Sequence, residues 1–149
     1  MKWSIGGGKM LLYQQALAIA EDAHKGQVDK AGVDYIQHPL FVASLVEDEL
    51  AKTVALLHDV VEDSDWTLED LRKEGLPEEV VQAVGILTKK RNENYEEYIL
   101  RVKQNPLARQ VKLADLKHNS DLSRLANVTD RDRKRVAKYQ KAISFLSEE

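Results

Sequence analysis

The sequence predicts an all-α domain, a single bundle of about eight helices. Apolar residues recur every three or four positions along most of the chain, which is the period of an amphipathic helix. N-cap residues and first-turn prolines mark helix starts, and no window alternates apolar and polar residues as a strand would. With 149 residues, 43% of them hydrophobic and 32% charged, the chain is long enough to bury one core.

The first part of the chain carries a leader and three predicted helices. Residues 1–9 include three consecutive glycines and lack a long apolar run, so we expect a flexible leader before a domain that spans 10–149. Helical apolar spacing predicts a first helix over 10–24. After a polar, glycine-containing loop, Pro39 suits the first turn of a helix that ends near Glu47. A third, buried helix is predicted over 51–63.

Five further helices follow, and local signals mark where they start and stop. Thr67 and Thr129 each stand three residues before an aspartate, which is an N-cap signature, and Pro106 suits a first turn. A charged loop at 89–94 separates two of these helices. The five predicted helices cover 67–75, 77–87, 95–103, 106–124 and 130–146.

Composition narrows the possible functions. The formal net charge is −3, which does not favour a nucleic-acid partner. No segment is long and apolar enough for a signal peptide or a membrane span, so we expect a cytoplasmic protein without a membrane partner; the oligomeric state is left open. Because the chain has no cysteine, any metal must be held by nitrogen and oxygen ligands.

Four ionisable residues interrupt the apolar run of the third predicted helix. They are His58, Asp59, Glu62 and Asp63. Glu62 follows His58 by four positions and Asp63 follows Asp59 by four, which is about one helical turn. Charge on a buried helix is costly unless a metal or a hydrogen-bond network compensates it. The alternative for His58 is a hydrogen-bonded core histidine.

Two other predicted helices also carry an ionisable residue among apolar neighbours. His38 directly precedes Pro39, and Asp115 lies between Ala114 and Leu116. With His58 and Asp59 they form a mixed nitrogen–oxygen set. Such a set suits manganese, iron or another divalent ion with open positions better than a closed structural zinc site.

The order His38, then His58-Asp59, then Asp115 resembles the HD superfamily of metal-dependent phosphohydrolases. Five segments are similar to the hydrolase domain of RelA/SpoT-type alarmone enzymes: residues 23–39, Leu56-Leu-His-Asp-Val-Val-Glu-Asp63, Thr67-Leu-Glu-Asp-Leu71, Leu87-Thr-Lys89 and Ala114-Asp-Leu-Lys-His-Asn119. The likeness runs from about Leu11 to Arg124. It leaves no room for a synthetase domain, so we expect a small, hydrolase-only alarmone hydrolase.

The resemblance implies an activity and a set of site residues. The activity is manganese-dependent removal of the 3′-diphosphate from guanosine tetra- or pentaphosphate. The implied metal ligands are His38, His58, Asp59 and Asp115. The implied catalytic pair, which positions or activates the attacking water, is Glu62 and Asp63. The resemblance also implies that Asn119 lies near the substrate ribose. Lys30 is a candidate contact to a phosphate.

Two departures from the family pattern leave other functions open. Asp29 and Asp121 stand where the long enzymes usually carry arginine, and acidic groups weaken attraction to an anionic substrate. A second hypothesis therefore keeps the site but changes the substrate to another phosphorylated nucleotide. A third is a module that binds a nucleotide without cleaving it. Further residues with expected roles are Lys25, Lys112 and Lys117, available to phosphates, and His24 and His118, supporting the ligands.

Overall fold

Helices dominate the part of the chain that this computed structural model describes, residues 11–148 without the side chain of Arg124. In these residues there are nine α-helices, one of them a single turn, and one short 3-10 helix, Leu122–Arg124. The α-helices are α1 (Leu12–Ala23), α2 (Gln37–Ser44), α3 (Glu49–Leu57), α4 (Val60–Asp63), α5 (Leu68–Lys73), α6 (Glu78–Leu87), α7 (Tyr95–Lys103), α8 (Pro106–Asn119) and α9 (Asp130–Ser147).

The all-α prediction is confirmed for the described residues. They contain no strand, and the only pairing of β type among them is an isolated bridge between Val28 and Asp34. None of the helices described between positions 11 and 148 has the length and hydropathy to cross a membrane. The predicted leader at 1–9 lies outside the described residues.

Helix α3 forms the centre of the bundle. It packs against α1, α2, α6 and α8, and its last four residues, Val54 to Leu57, are completely buried. The Asp48 carboxylate caps its start by accepting from the Ala51 N–H at 2.8 Å. Because α3 is enclosed by four neighbours, the residues at its C-terminal end lie in the interior of the protein.

Local sequence accounts for most helix starts. Thr67 accepts from the Asp70 N–H while the Asp70 carboxylate accepts from the Thr67 N–H, and Thr129 and Asp132 form the same capping box at the start of α9. Asn105 caps α8 from the position before Pro106. These side chains satisfy N–H groups that have no partner within the helix.

The predicted continuous helix over 51–63 is wrong, because the chain breaks at His58 and Asp59 between α3 and α4. A continuous helix would direct the Asp59 N–H to the Ala55 carbonyl. That carbonyl instead faces Nδ1 of the His58 ring at 2.5 Å. The helical pattern resumes where the Asp63 N–H bonds the Asp59 carbonyl at 2.9 Å. Glu62 and Asp63 therefore do not lie on one continuous helix with His58 and Asp59, contrary to the prediction from the sequence.

The predicted helix over 106–124 ends earlier, at Asn119. The Ser120 N–H still bonds the Leu116 carbonyl at 2.9 Å, but Asp121 then accepts from both the N–H and the hydroxyl of Ser123, at 2.9 and 2.6 Å. Short polar side chains compete for backbone groups and favour turns over helix. The result is the 3-10 helix in place of a last α-helical turn.

Candidate metal centre

The four predicted metal ligands come together from three parts of the bundle. His38 lies in α2, His58 and Asp59 lie at the break after α3, and Asp115 lies in α8. One ligand atom from each residue falls within 4.8 Å of all the others. Nε2 of His58 is 3.1 Å from Oδ2 of Asp59 and 3.3 Å from Oδ1 of Asp115. Nε2 of His38 lies 2.8 Å from the same Asp115 oxygen and 3.9 Å from Asp59 Oδ2.

Hydrogen bonds on the far side of each ring orient the two histidines. Nδ1 of His58 donates to the Ala55 carbonyl, because a carbonyl can only accept, so in the neutral ring Nε2 carries the lone pair. Nδ1 of His38 is 2.7 Å from Nδ1 of His118. When the neutral His38 ring donates that bond, its Nε2 has a free lone pair, which points toward the carboxylates. Bonds of this kind fix the ring orientation of metal-binding histidines.

Both carboxylates are buried or nearly so and are held by neighbouring donors. The Tyr35 hydroxyl donates to Oδ2 of Asp59. The Lys112 ammonium bonds Oδ2 of Asp115 at 2.9 Å, and the Asn119 amide donates to Oδ1 at 3.1 Å. These bonds hold the two carboxylates in position among the ligand atoms.

The charges in the centre keep both carboxylates ionised. Without a metal, burial alone would lower the pKa of His58, but Asp59 and Asp115 outweigh it and raise that pKa. Burial alone would raise the pKa of Asp59, but the charge of the protonated His58 ring outweighs it and lowers that pKa to about 2. Burial likewise opposes ionisation of Asp115, and the Lys112 ammonium, together with N–H bonds from Nε2 of the two histidines, holds its pKa well below the usual range. Ionised carboxylates are the form that binds a metal.

The residues present fit a divalent metal ion. The donor atoms are two imidazole nitrogens and two carboxylate oxygens, which suit a divalent ion of intermediate hardness. Neighbouring ligands of a metal with bonds of about 2.1 Å lie roughly 3 Å apart, close to most of the distances in this cluster. We conclude that the cluster can hold a divalent metal.

His24 packs beside Tyr35, the residue whose hydroxyl bonds the predicted ligand Asp59. The Gln27 amide donates to the Asp63 carbonyl at 2.8 Å and to the Ala23 carbonyl at 3.3 Å. Its oxygen therefore accepts from Nδ1 of His24 at 2.9 Å. Burial lowers the pKa of His24, and its ring lies 4.9 Å from that of Tyr35. These contacts agree with the supporting role expected for His24, as the contact with His38 does for His118.

The two predicted catalytic carboxylates follow Asp59 on α4, and both residues are exposed. Oε1 of Glu62 accepts from the backbone N–H of Lys89 at 2.9 Å. Desolvation raises the pKa of Asp63 to about 6, and the charges of Asp59 and Glu62 add to this effect. The pair thus combines a carboxylate held by a backbone donor with one that retains a proton closer to neutral pH.

The predicted substrate contacts lie in different surroundings. The Lys30 side chain is 65% exposed, and its ammonium is 4.0 Å from Oδ1 of Asp132. Asn119 reaches the centre through its bond to Asp115. The suggestion that Lys112 is available to a phosphate is wrong, because its side chain is only 14% exposed and bonds Asp115.

The two acidic departures from the family pattern each stabilise a local turn. Oδ1 of Asp29 accepts from the N–H groups of Ala31 and Val33, at 2.8 and 3.0 Å. Asp121 caps the 3-10 helix through Ser123. Both carboxylates therefore accept backbone hydrogen bonds that an arginine at the same position could not accept.

Sequence reasoning missed the roles of Tyr35 and Lys112 in holding the ligands. Each stands three residues before a ligand, Tyr35 before His38 and Lys112 before Asp115. For Lys112 this spacing was an available signal, since residues three apart on a helix are neighbours. For Tyr35 it was not, because its hydroxyl reaches Asp59, which is distant in sequence.

Comparison with known proteins gives a family and several relatives. Residues 16–143 match the HD domain family. A guanosine-3′,5′-bis(diphosphate) 3′-pyrophosphohydrolase of Haemophilus influenzae is 37% identical over 134 residues, which cover 80% of this chain and 20% of that protein. A protein of the same name from Aquifex aeolicus is 35% identical, over 84% of this chain and 19% of that protein. The bifunctional (p)ppGpp synthase/hydrolase SpoT of Escherichia coli is 32% identical, over 84% and 20%.

This chain spans about a fifth of the length of these curated relatives. One solved structure is matched over a far larger share of its own chain. It is described as a metazoan ortholog of SpoT that hydrolyzes ppGpp and plays a role in starvation responses. It is 25% identical and superimposes with a TM-score of 0.75 over 95% of this chain and 88% of that one.

Proposed function

The chain belongs to the HD domain family, and on that basis we propose that it is a metal-dependent hydrolase that removes the 3′-diphosphate of guanosine tetra- and pentaphosphate. The observation that carries this proposal is the convergence of His38, His58, Asp59 and Asp115 within 4.8 Å. The names of the relatives supply the substrate class.

We propose manganese as the metal, held by Nε2 of both histidines and one oxygen of each aspartate. Two nitrogen and two carboxylate oxygen donors suit manganese, and four protein ligands leave coordination positions open. A bound divalent ion supplies Lewis acidity toward a phosphoryl oxygen and a water molecule.

Glu62 is the proposed proton acceptor. One of its oxygens is occupied by the Lys89 N–H, and the other is available to accept the proton of a water that attacks the 3′-linked phosphorus. A carboxylate in hydrogen-bond reach of that water acts as a general base. Glu62 thereby adds a proton-transfer function without being one of the four ligands.

Asp63 is the proposed proton donor. Desolvation, followed by the charges of Asp59 and Glu62, raises its pKa to about 6, so Asp63 is the more readily protonated carboxyl of the pair. A proton from Asp63 then neutralises the 3′ oxygen of the ribose as its bond to phosphorus breaks. The products are guanosine di- or triphosphate with a free 3′ hydroxyl, and pyrophosphate.

Lys30 and Asn119 are proposed substrate contacts. The ammonium of Lys30 is on an exposed side chain and can turn from Asp132 to a phosphate. Asn119 donates to Asp115 through one amide hydrogen and has its second hydrogen and its oxygen to offer to a ribose hydroxyl.

A nucleotide panel tests the proposed substrate. The protein is incubated with manganese and guanosine tetraphosphate, guanosine diphosphate, adenosine triphosphate or a 3′-phosphorylated adenosine nucleotide, and the products are separated by anion exchange. We expect pyrophosphate release from guanosine tetraphosphate, slowed about 100-fold or more in Glu62→Gln, since a general base typically contributes that much. Turnover confined to another nucleotide would support the second hypothesis, and tight binding without turnover under any divalent metal would support the sensing module.

A further inference from the structure

One peptide group links the proposed base to a distant ion pair. The N–H of the peptide between Thr88 and Lys89 donates to Oε1 of Glu62 at 2.9 Å. The carbonyl of that same peptide accepts from Nη2 of Arg101 at 3.3 Å. A trans peptide is a rigid plane whose N–H and C=O point in opposite directions. The guanidinium on one side and Glu62 on the other are therefore coupled through a single rigid unit.

Arg101 is itself firmly held. Its Nε and Nη2 donate to the two oxygens of Glu93 at 2.8 and 2.7 Å, and its Nη1 donates to the Ile86 carbonyl at 2.9 Å. Glu93 also accepts from the Lys90 N–H at 3.1 Å. The two charged side chains are only 24% and 11% exposed, so this bidentate pair is better ordered than a typical surface ion pair.

These bonds attach the end of α6 to α7. The last carbonyls of an α-helix have no partner inside it. Here the Ile86 carbonyl is capped by Arg101, and the Leu87 carbonyl accepts from the Tyr98 hydroxyl at 2.6 Å. Both capping side chains belong to α7. The segment that presents the Lys89 N–H is thus positioned by two side chains of α7.

We propose that Arg101, supported by Glu93, is a positioning residue for Glu62, acting through the Thr88–Lys89 peptide. With Arg101 in place, the peptide carbonyl is fixed and its N–H stays on Glu62, so the other carboxylate oxygen faces the attacking water. Without Arg101 that peptide plane can rotate, and Glu62 loses its fixed direction. The inference rests on the proposed role of Glu62 as base.

The test compares Arg101→Met with Arg72→Met. Arg72 forms a similar two-bond pair with Glu78, both bonds 3.0 Å, and also bonds Glu69 at 3.4 Å. Its hydrogen bonds among the described residues include neither Glu62 nor the Thr88–Lys89 peptide. We expect Arg101→Met to lower kcat on guanosine tetraphosphate about tenfold with KM changed less than twofold, since small misplacements of a catalytic group cost rate. Arg72→Met keeps the wild-type kcat. In a Glu62→Ala background, Arg101→Met has no further effect.

Hydrogen exchange of the Lys89 amide, followed by NMR, reads the link without activity. We expect this amide to be protected in the wild type and in Arg72→Met, and to exchange at least tenfold faster in Arg101→Met and in Glu62→Ala. If Arg101→Met does not fold, Arg101→Lys serves instead, because one ammonium cannot span the Glu93, Ile86 and Thr88 acceptors.

Two results would overturn the inference: a Lys89 amide as protected in Arg101→Met as in the wild type, or losses of rate that multiply in the Glu62→Ala background. A wild-type protein without turnover of guanosine tetraphosphate contradicts the proposed function alone, since the amide measurement still decides whether Arg101 holds the peptide on Glu62.

Discussion

The buried ammonium of Lys112 makes a prediction about how the centre balances charge. Lys112 bonds Oδ2 of Asp115 at 2.9 Å, and the two side chains are 14% and 6% exposed. Burial alone would lower the pKa of Lys112, but the Asp115 charge outweighs it and raises that pKa well above its usual value. Lys112 therefore stays charged and neutralises part of the carboxylate charge in the centre.

Replacing Lys112 with methionine leaves Asp115 without its cation. Breaking a buried pair in this way typically costs about 3–5 kcal/mol, so we expect the metal-free protein to lose about 3 kcal/mol of unfolding free energy. For a chain of this size that corresponds to a drop in Tm of roughly 6–12 °C. Urea and thermal unfolding in the presence of a chelator measure this loss.

The same substitution removes a bond that holds Asp115, but it also removes an ammonium that repels a divalent cation. We expect the loss of this repulsion to dominate, so that metal binding becomes stronger. Two unit charges about 4 Å apart interact by about 4 kcal/mol at an effective dielectric constant of about 20. Even a third of that repulsion, about 1.4 kcal/mol, changes an affinity tenfold. We expect Lys112→Met to bind manganese at least about tenfold more tightly by calorimetry, and to regain part of its lost stability when metal is added.

Lys52→Met is the matched control. The Lys52 ammonium donates to the Ala43 and Val46 carbonyls at 3.0 and 2.7 Å, with no carboxylate among these partners. Its replacement should destabilise the protein by the same amount with and without metal. If Lys112→Met bound manganese more weakly than the wild type, or if added metal restored none of its stability, the charge balance described for the centre would be refuted.

Three further predictions concern single side chains. Tyr35→Phe removes the hydroxyl that orients Asp59, and we expect manganese affinity, measured by calorimetry, to fall about 10- to 100-fold; unchanged affinity would exclude this role. Asp59→Ala should abolish metal binding and hydrolysis together, and surviving activity would contradict the ligand assignment. The Thr129 backbone N–H, followed by Arg135, lowers the pKa of Asp132 to about 2. A lowered carboxyl pKa stabilises the fold above the unfolded value near 4, and this contribution is lost as the pH falls through about 2. Urea unfolding between pH 5 and 2 should therefore show a larger loss of unfolding free energy in the wild type than in Asp132→Asn. Equal losses would exclude this contribution of Asp132.

Helix class and helix starts were predictable because they depend on local chemistry. The capping boxes at Thr67 and Thr129 and the first-turn Pro106 act within three or four residues, a range that a sequence pattern contains. The ends were less predictable. The break at His58 depends on how its ring turns back onto the Ala55 carbonyl, and apolar periodicity continues through it.

The candidate ligands were predictable as a set because charged residues at core positions need an explanation, and the family pattern supplied their order. The bonds that position them were not. Lys89 lies 27 residues from Glu62, and Tyr35 lies 24 residues from Asp59, so both contacts exist only once the helices pack. The metal identity, the nucleotide and the cytoplasmic location stay predictions.

Metal-dependent hydrolysis at this centre is tested most directly by titrating manganese into the metal-stripped protein while pyrophosphate release from guanosine tetraphosphate is measured. The predicted result is no release without metal and a rate that rises to saturation at one manganese per chain, with Asp59→Ala inactive throughout. Release at full rate from the metal-stripped protein, or no release at saturating metal, would contradict the proposed function.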